Sequence, residues 1–201
     1  NGWYKGILGF YGQGSHYGKR TALIAQIDMA YEDGTTKRLV TDEKWCSTTG
    51  ERRYSEFYHG EVIDYSLEKQ PVKPVRHYEY PKENLVGQVC EPVRIIERVP
   101  AQRVLKSPKG EVILDFGQNL TGVVEAKLCC PKGTKVVLRH AEALDENGNL
   151  FTANLRTAKA TDTFICSGGE DVFLPEFTFH GFRYVSVEGL EDVKAEDFTA
   201  C

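Results

Sequence analysis

The 201-residue sequence contains no CxxC pair, no HExxH, no GxSxG and no pair of histidines at metal-ligand spacing. Each absence removes a class of chemistry. Without CxxC a structural zinc site has no support, so no metal ligands are expected. Without GxSxG there is no nucleophile elbow. No apolar run approaches the ~18 residues of a membrane span, and no signal peptide opens the chain, so no membrane partner is expected. Positive charge is also short. Lys and Arg number 25 against 29 Asp and Glu, for a net charge of −4. That balance argues against a nucleic-acid partner, which normally shows a basic patch or stripe. The first residues, Asn1, Gly2, Trp3 and Tyr4, include no initiator methionine and read as a cut within a longer protein.

Six cysteines are present, at 46, 90, 129, 130, 166 and 201. Their spacing is irregular, and a chain of this size does not need disulfide staples. Adjacent Cys129 and Cys130 point to opposite faces of a strand and cannot readily pair with each other. Free thiols and a reducing compartment are the expectation.

Helical signals are few as well, and what fills the chain is strand and turn. Asp33-Gly34 separates ALIAQIDMAY from TTKRLVTD and predicts a β-hairpin. Pro108-Lys109-Gly110, Pro131-Lys132-Gly133, Asn147-Gly148 and Gly168-Gly169 punctuate the second half in the same way. Between them GEVILDF, GVVEAKLCC, TKVVLRHAEAL, TDTFICS and GFRYVSVEG each suit a strand. Val124, Ala126 and Leu128 alternate with Val123, Glu125 and Lys127, the period of a half-buried strand. NLRTAKATD, from Asn154 to Asp162, reads as a loop or a single helical turn. These features predict an all-β chain of two β-sandwich or jelly-roll modules, the first truncated at its N-terminus. The proline-rich, charged stretch between Leu67 and Pro92 marks the boundary, giving modules over 1–75 and 88–201 with a linker at 76–87.

GQGSHYGKR, Gly12 to Arg20, fails as a phosphate loop, because Gln13 and Arg20 stand where Gly and Ser or Thr are required. Glycoside hydrolysis needs two carboxyl groups flanking the scissile bond. Glu142 with Asp145, Asp115, and Glu61 with Asp64 are the nearest candidates, and none forms a matched pair, so no catalytic residue is assigned. Among the aromatics Trp3, Tyr4, Phe10, Tyr11 and Tyr17, the pair Trp3 and Tyr4 are the candidates for stacking on a sugar ring, against a plain role as core cover. On the final strand, Phe179, Phe182 and Tyr184 are expected to fill the core. His180 and Arg183 are then candidates for contact with a neighbouring domain.

Several stretches resemble one known family. NGWYKGILGF is similar to the GWY-G-LGF segment in the N-terminal carbohydrate-binding-like domain of bacterial α-L-rhamnosidases. YHGEVIDYSLE resembles a later segment of the same domain, with His59 and Ile63 departing from its pattern. DFGQNLTGVVE, LRHAEALDENGNLFTANLRTAKATDTFICSGG and PEFTFHGFRYVSVEG follow one another as in the family's concanavalin-like β-sandwich. The resemblance, to glycoside hydrolase family 78, implies a parent that removes terminal α-L-rhamnose with inversion. It places the acid and base on an (α/α)₆ barrel outside this sequence. It therefore implies a non-catalytic fragment whose partner is that barrel, with an autonomous module for rhamnose-containing saccharides as the alternative. No cofactor is implied for this stretch. Calcium accompanies rhamnose in the complete N-terminal domain of some members, and none of its ligands maps onto a residue here. A bacterial cytoplasmic location completes the set of expectations.

Overall fold

The computed structural model describes residues 2–201, with the side chains of Trp3 and Phe10 outside the description. Two compact units emerge, and they interleave along the sequence. One comprises residues up to Tyr17, Glu51–Glu68 and Arg94–Cys201, and the other comprises Gly18–Gly50 and Lys69–Val93. This division does not follow the sequence-based one. The stretch 76–87, expected to link two modules, falls inside the second unit, and part of the first module is built into the sandwich of the other.

The second unit is a small antiparallel assembly. Strand β1 (Gln26–Ala30) pairs with β2 (Thr36–Val40) in the register Gln26↔Val40 to Ala30↔Thr36. The Asp33-Gly34 turn closes it as the sequence predicts. Gly34 takes a positive φ of 83° and donates its N–H to the Tyr31 carbonyl at 3.0 Å, while the Asp33 carboxylate accepts from Thr35 N at 2.9 Å. A two-residue ladder joins Cys46–Ser47 to Lys73–Pro74. No residue in 18–50 or 69–93 is buried, so this unit has no hydrophobic core of its own.

The larger unit holds the core. Its elements are β3 (Arg52–Glu56), β4 (Gly60–Asp64), β5 (Arg103–Lys106), β6 (Val112–Gly122), β7 (Val124–Cys129) and β8 (Lys135–Ala141). They continue with β9 (Thr161–Ile165), β10 (Glu170–Phe173), β11 (His180–Glu188) and β12 (Phe198–Ala200). Seven strands form one sheet in the order β3-β4-β9-β8-β11-β6-β5. A second sheet runs β10-β7-β12 and ends on the short strand Val99–Pro100. A four-residue helical turn, Gly2–Lys5, and three-residue 3₁₀ turns such as Ala153–Leu155 are the helical content, so the chain is all-β.

The two sheets pack as a sandwich because period-two alternation gives each an apolar face. Val124, Ala126 and Leu128 from β7, with Phe173, Phe198 and Ala200, meet Ile63, Leu114, Phe116, Val136, Leu138, Phe164, Phe182 and Val185. Rings bridge the layers. Phe173 on β10 lies between Tyr65, at 4.5 Å, and Phe164 on β9, at 4.7 Å. The strand pair β4 and β9 is parallel, with Val62, Ile63 and Asp64 beside Thr163, Phe164 and Ile165. That pairing welds residues 51–68 to the second half.

On β11 the core face differs from expectation. Phe182 and Val185 are fully buried, whereas Phe179 is 57% exposed and Tyr184 half-buried. Phe179, three residues before Phe182, falls on the opposite face by alternation, and the ladder to β6 explains Tyr184. Phe182 faces Leu120 but Tyr184 faces Asp115, so residues 116–119 bulge opposite the single residue Arg183. A bulge of this kind resets which side chains face inward.

Candidate functional site

The row of core side chains on the large sheet ends in polar residues. Ile63, Phe164, Leu138 and Phe182 point into the core from neighbouring strands β4, β9, β8 and β11. Two residues along each strand, on the same face, stand Glu61, Asp162, His140 and His180, all buried. Gly60 admits this closeness. Its φ is 100°, and a Cβ there would overlap the Thr161 carbonyl oxygen. The open backbone lets the Glu61 N–H donate to Asp162 Oδ1 at 2.8 Å.

Around Asp162 the geometry is specific. His180 Nε2 lies 3.4 Å from Oδ1 and 3.3 Å from Oδ2. His140 Nε2 lies 3.8 Å from Oδ2, beyond hydrogen-bond reach. The His140 Nδ1 sits 2.9 Å from the Ala160 carbonyl, to which it donates. The two imidazoles lie 4.2 Å apart, inclined by 30°, and Phe182 meets His140 edge-on at 4.9 Å. Burial, reinforced by the neighbouring His180, pushes the His140 pKa down to about 3, so its ring is neutral. Burial alone would raise the Asp162 carboxyl, but His180 and His140 hold it below the usual carboxylate range.

Glu61 is engaged in a separate set of bonds. Arg52 Nη1 donates to its carboxylate at 2.7 Å, and the N–H groups of Phe177 and Glu176 donate at 2.8 and 3.2 Å. Its pKa is nevertheless raised, because burial outweighs the Phe177 N–H and the Arg52 charge. The other carboxylates considered for hydrolysis are also occupied. Asp145 accepts from Asn147 N and Asn149 N in its own turn, and Glu142 accepts from Asn119 Nδ2 at 3.3 Å. Among the described residues, no two of these form a matched pair.

Asp115 is held by two arginines. Arg183 grips it through Nε at 2.9 Å and Nη2 at 3.2 Å, Arg103 donates at 2.5 Å, and Gly117 N donates at 2.8 Å. Burial opposes ionisation, yet Arg183, Gly117 and Arg103 together draw the pKa down to about 2. A carboxyl depressed from 3.8 contributes stability above pH 3.8 that is lost as pH falls toward 2. The magnitude is about 2 kcal/mol. Urea unfolding at pH 5 and pH 2.5 should therefore show acid destabilisation that Asp115→Asn reduces by about two thirds of this amount. An identical pH slope in the variant would contradict the assignment.

The residues picked out by sequence are scattered. Tyr4 is half-buried on the Gly2–Lys5 turn, and its partner Trp3 lies outside the described side chains. His180 is 4% exposed and faces its own core, while the Arg183 side chain is 34% exposed beside Asp115. Sequence reasoning missed two features. The cluster of His140 and Asp162 with His180 was readable only as polar residues in phase with core positions. Phe177 and Phe179, 53% and 57% exposed, form an aromatic surface with Phe57, whose ring is 5.9 Å from that of Phe179. The Arg52 guanidinium covers Phe177 at 5.7 Å. The six cysteines are free thiols, and burial beside Cys130 pushes Cys166 up to about 12.

Comparison with known proteins gives a consistent set of relatives. Residues 105–201 match the family model of the bacterial alpha-L-rhamnosidase concanavalin-like domain. Residues 1–97 match that of the alpha-L-rhamnosidase N-terminal domain. An alpha-L-rhamnosidase of Streptomyces avermitilis is 40% identical over 94% of this chain and 19% of its own length. One from Alteromonas sp. (strain LOR) is 32% identical over 96% of the chain and 22% of its own. Among solved structures, the Streptomyces avermitilis enzyme complexed with L-rhamnose superposes with a TM-score of 0.90 at 38% identity. It covers 99% of this chain and 20% of that one. The Aspergillus terreus enzyme gives 0.91 at 36% identity, over 99% and 25%. The chain thus spans about a fifth of the length of the curated relatives it matches.

Proposed function

Because this chain belongs to the bacterial α-L-rhamnosidase family and covers its non-catalytic N-terminal and concanavalin-like domains, we propose that it supports and positions a catalytic domain in a longer polypeptide. The parent would remove terminal α-L-rhamnose from glycosides, and this portion would contribute packing surface rather than reacting groups. The observation that carries the reading is coverage: nearly all of the chain matches about a fifth of each relative. Its charged groups support it, since the buried carboxylates are engaged in bonds within the sandwich.

The surface of Phe177, Phe179 and Phe57, with the Arg52 guanidinium over Phe177, would make that contact. Exposed aromatics clustered with arginine suit an interface better than open water. In the full-length parent, Phe177→Ser with Phe179→Ser should lower rhamnoside turnover or split thermal unfolding into two transitions. Arg183→Ala, which strips Asp115 of its bidentate partner, should lower the unfolding temperature of the isolated chain as well. Unchanged turnover and a single unshifted transition in the double phenylalanine variant would remove this surface from the account.

A further inference from the structure

We propose that His140, Asp162 and His180 form a buried binding site for one divalent transition-metal ion of the zinc class. Three observations carry it. The first is convergence: each residue offers one ligand atom, and these atoms all lie within 4.8 Å of one another. The separations from Asp162 Oδ2, 3.3 Å to His180 Nε2 and 3.8 Å to His140 Nε2, bracket the edge of a tetrahedral zinc site, about 3.4 Å for bonds near 2.0–2.1 Å.

The second is a conflict of lone pairs. Because His140 Nδ1 donates to the Ala160 carbonyl, the neutral ring has a bare Nε2. That lone pair faces Asp162 Oδ2, itself an acceptor, and both atoms are buried without a hydrogen-bond partner. Two acceptors aimed at each other in a dry interior are costly unless a cation lies between them. A proton on His180 would satisfy Asp162 but would leave His140 Nε2 unpartnered. A metal ion satisfies all three groups at once.

The third is the outer arrangement. A backbone carbonyl holding the far nitrogen of an imidazole fixes its tautomer, as is usual for histidines that ligate metals. The Glu61 N–H likewise orients the Asp162 carboxylate. Two imidazoles and one carboxylate suit zinc, cobalt or nickel, and are too nitrogen-rich for calcium or magnesium. The site is enclosed on adjacent strands, so loading is expected during folding rather than after it.

The test is to unfold the chain, refold it with chelator or with one equivalent of zinc, and remove excess metal. Elemental analysis should find one zinc per chain after zinc refolding, with thermal unfolding shifted upward. Calcium or magnesium should produce neither. Cobalt refolding should give visible ligand-field absorption that the chelator-refolded chain lacks. His180→Gln should abolish retention, whereas Cys129→Ser should not. Should His180→Gln fail to fold, nitrogen chemical shifts of His140 and His180 in the unaltered chain supply the readout, since zinc must move both. No retained metal, metal lost with Cys129→Ser alone, or unmoved imidazole nitrogens would overturn the proposal.

Discussion

Replacing Asp162 with Ala should destabilise the larger unit by about 3–5 kcal/mol, the usual cost of breaking a buried charged network by removing one member. The carboxylate is fully buried and accepts the Glu61 N–H at 2.8 Å. Its loss leaves that donor unpaired where β4 meets β9, and it leaves His180 facing a void. Asp162→Asn keeps an acceptor for Glu61 and removes only charge, so it should cost clearly less. For a unit of this size the Ala variant should melt about 10 °C lower. A shift no larger than that of a substitution on an exposed face would show that the polar row is not part of the structural core.

Phe173→Ala should be comparably severe, at about 3–5 kcal/mol. The Phe173 ring lies between Tyr65 and Phe164 and belongs to the four-stranded sheet, so it is a contact through which the two layers meet. Truncation removes both stacking partners and opens a cavity in a fully buried region. Phe173→Leu retains most of the volume and should cost about 1.5 kcal/mol or less. The exposed Phe177 provides the contrast, since Phe177→Ala should stay within about 0.5 kcal/mol in the isolated chain. Denaturant midpoints for the three variants check the order. Equal losses for Phe173→Ala and Phe177→Ala would contradict the packing described.

Much of the fold could be read from local sequence. The Asp33-Gly34 hairpin and the Asn147-Gly148 turn rest on chemistry within a few residues, and the structure shows both. Val124, Ala126 and Leu128 join the core as their alternation predicts, but Val123 and Glu125 between them are buried as well. What escaped notice depends on pairing across long distances. The parallel ladder between β4 and β9 joins residues about a hundred positions apart, and nothing in Gly60–Asp64 alone announces such a partner. The proline-rich stretch after Leu67 lies in the smaller unit, and the sandwich draws strands from both sides of it. The bulge opposite Arg183 has the same character. It reverses the inward phase of β11 after Phe182, so that Val185 rather than Tyr184 faces the core, an outcome set by β6 rather than by β11 itself. The polar cluster was legible in part. His140 lies two residues beyond Leu138, Asp162 two before Phe164 and His180 two before Phe182, so each keeps the phase of a core position. That these three converge follows only from strand order.

The central claim is that this chain is a supporting sandwich and that the reacting carboxyl groups of its parent lie elsewhere. The direct measurement is release of a chromophore from an aryl α-L-rhamnoside by the purified chain, compared with buffer and with the full-length parent. The account predicts turnover by the parent and none by the chain. Turnover by the chain above buffer, abolished by Asp115→Asn or by Glu142→Gln, would contradict it.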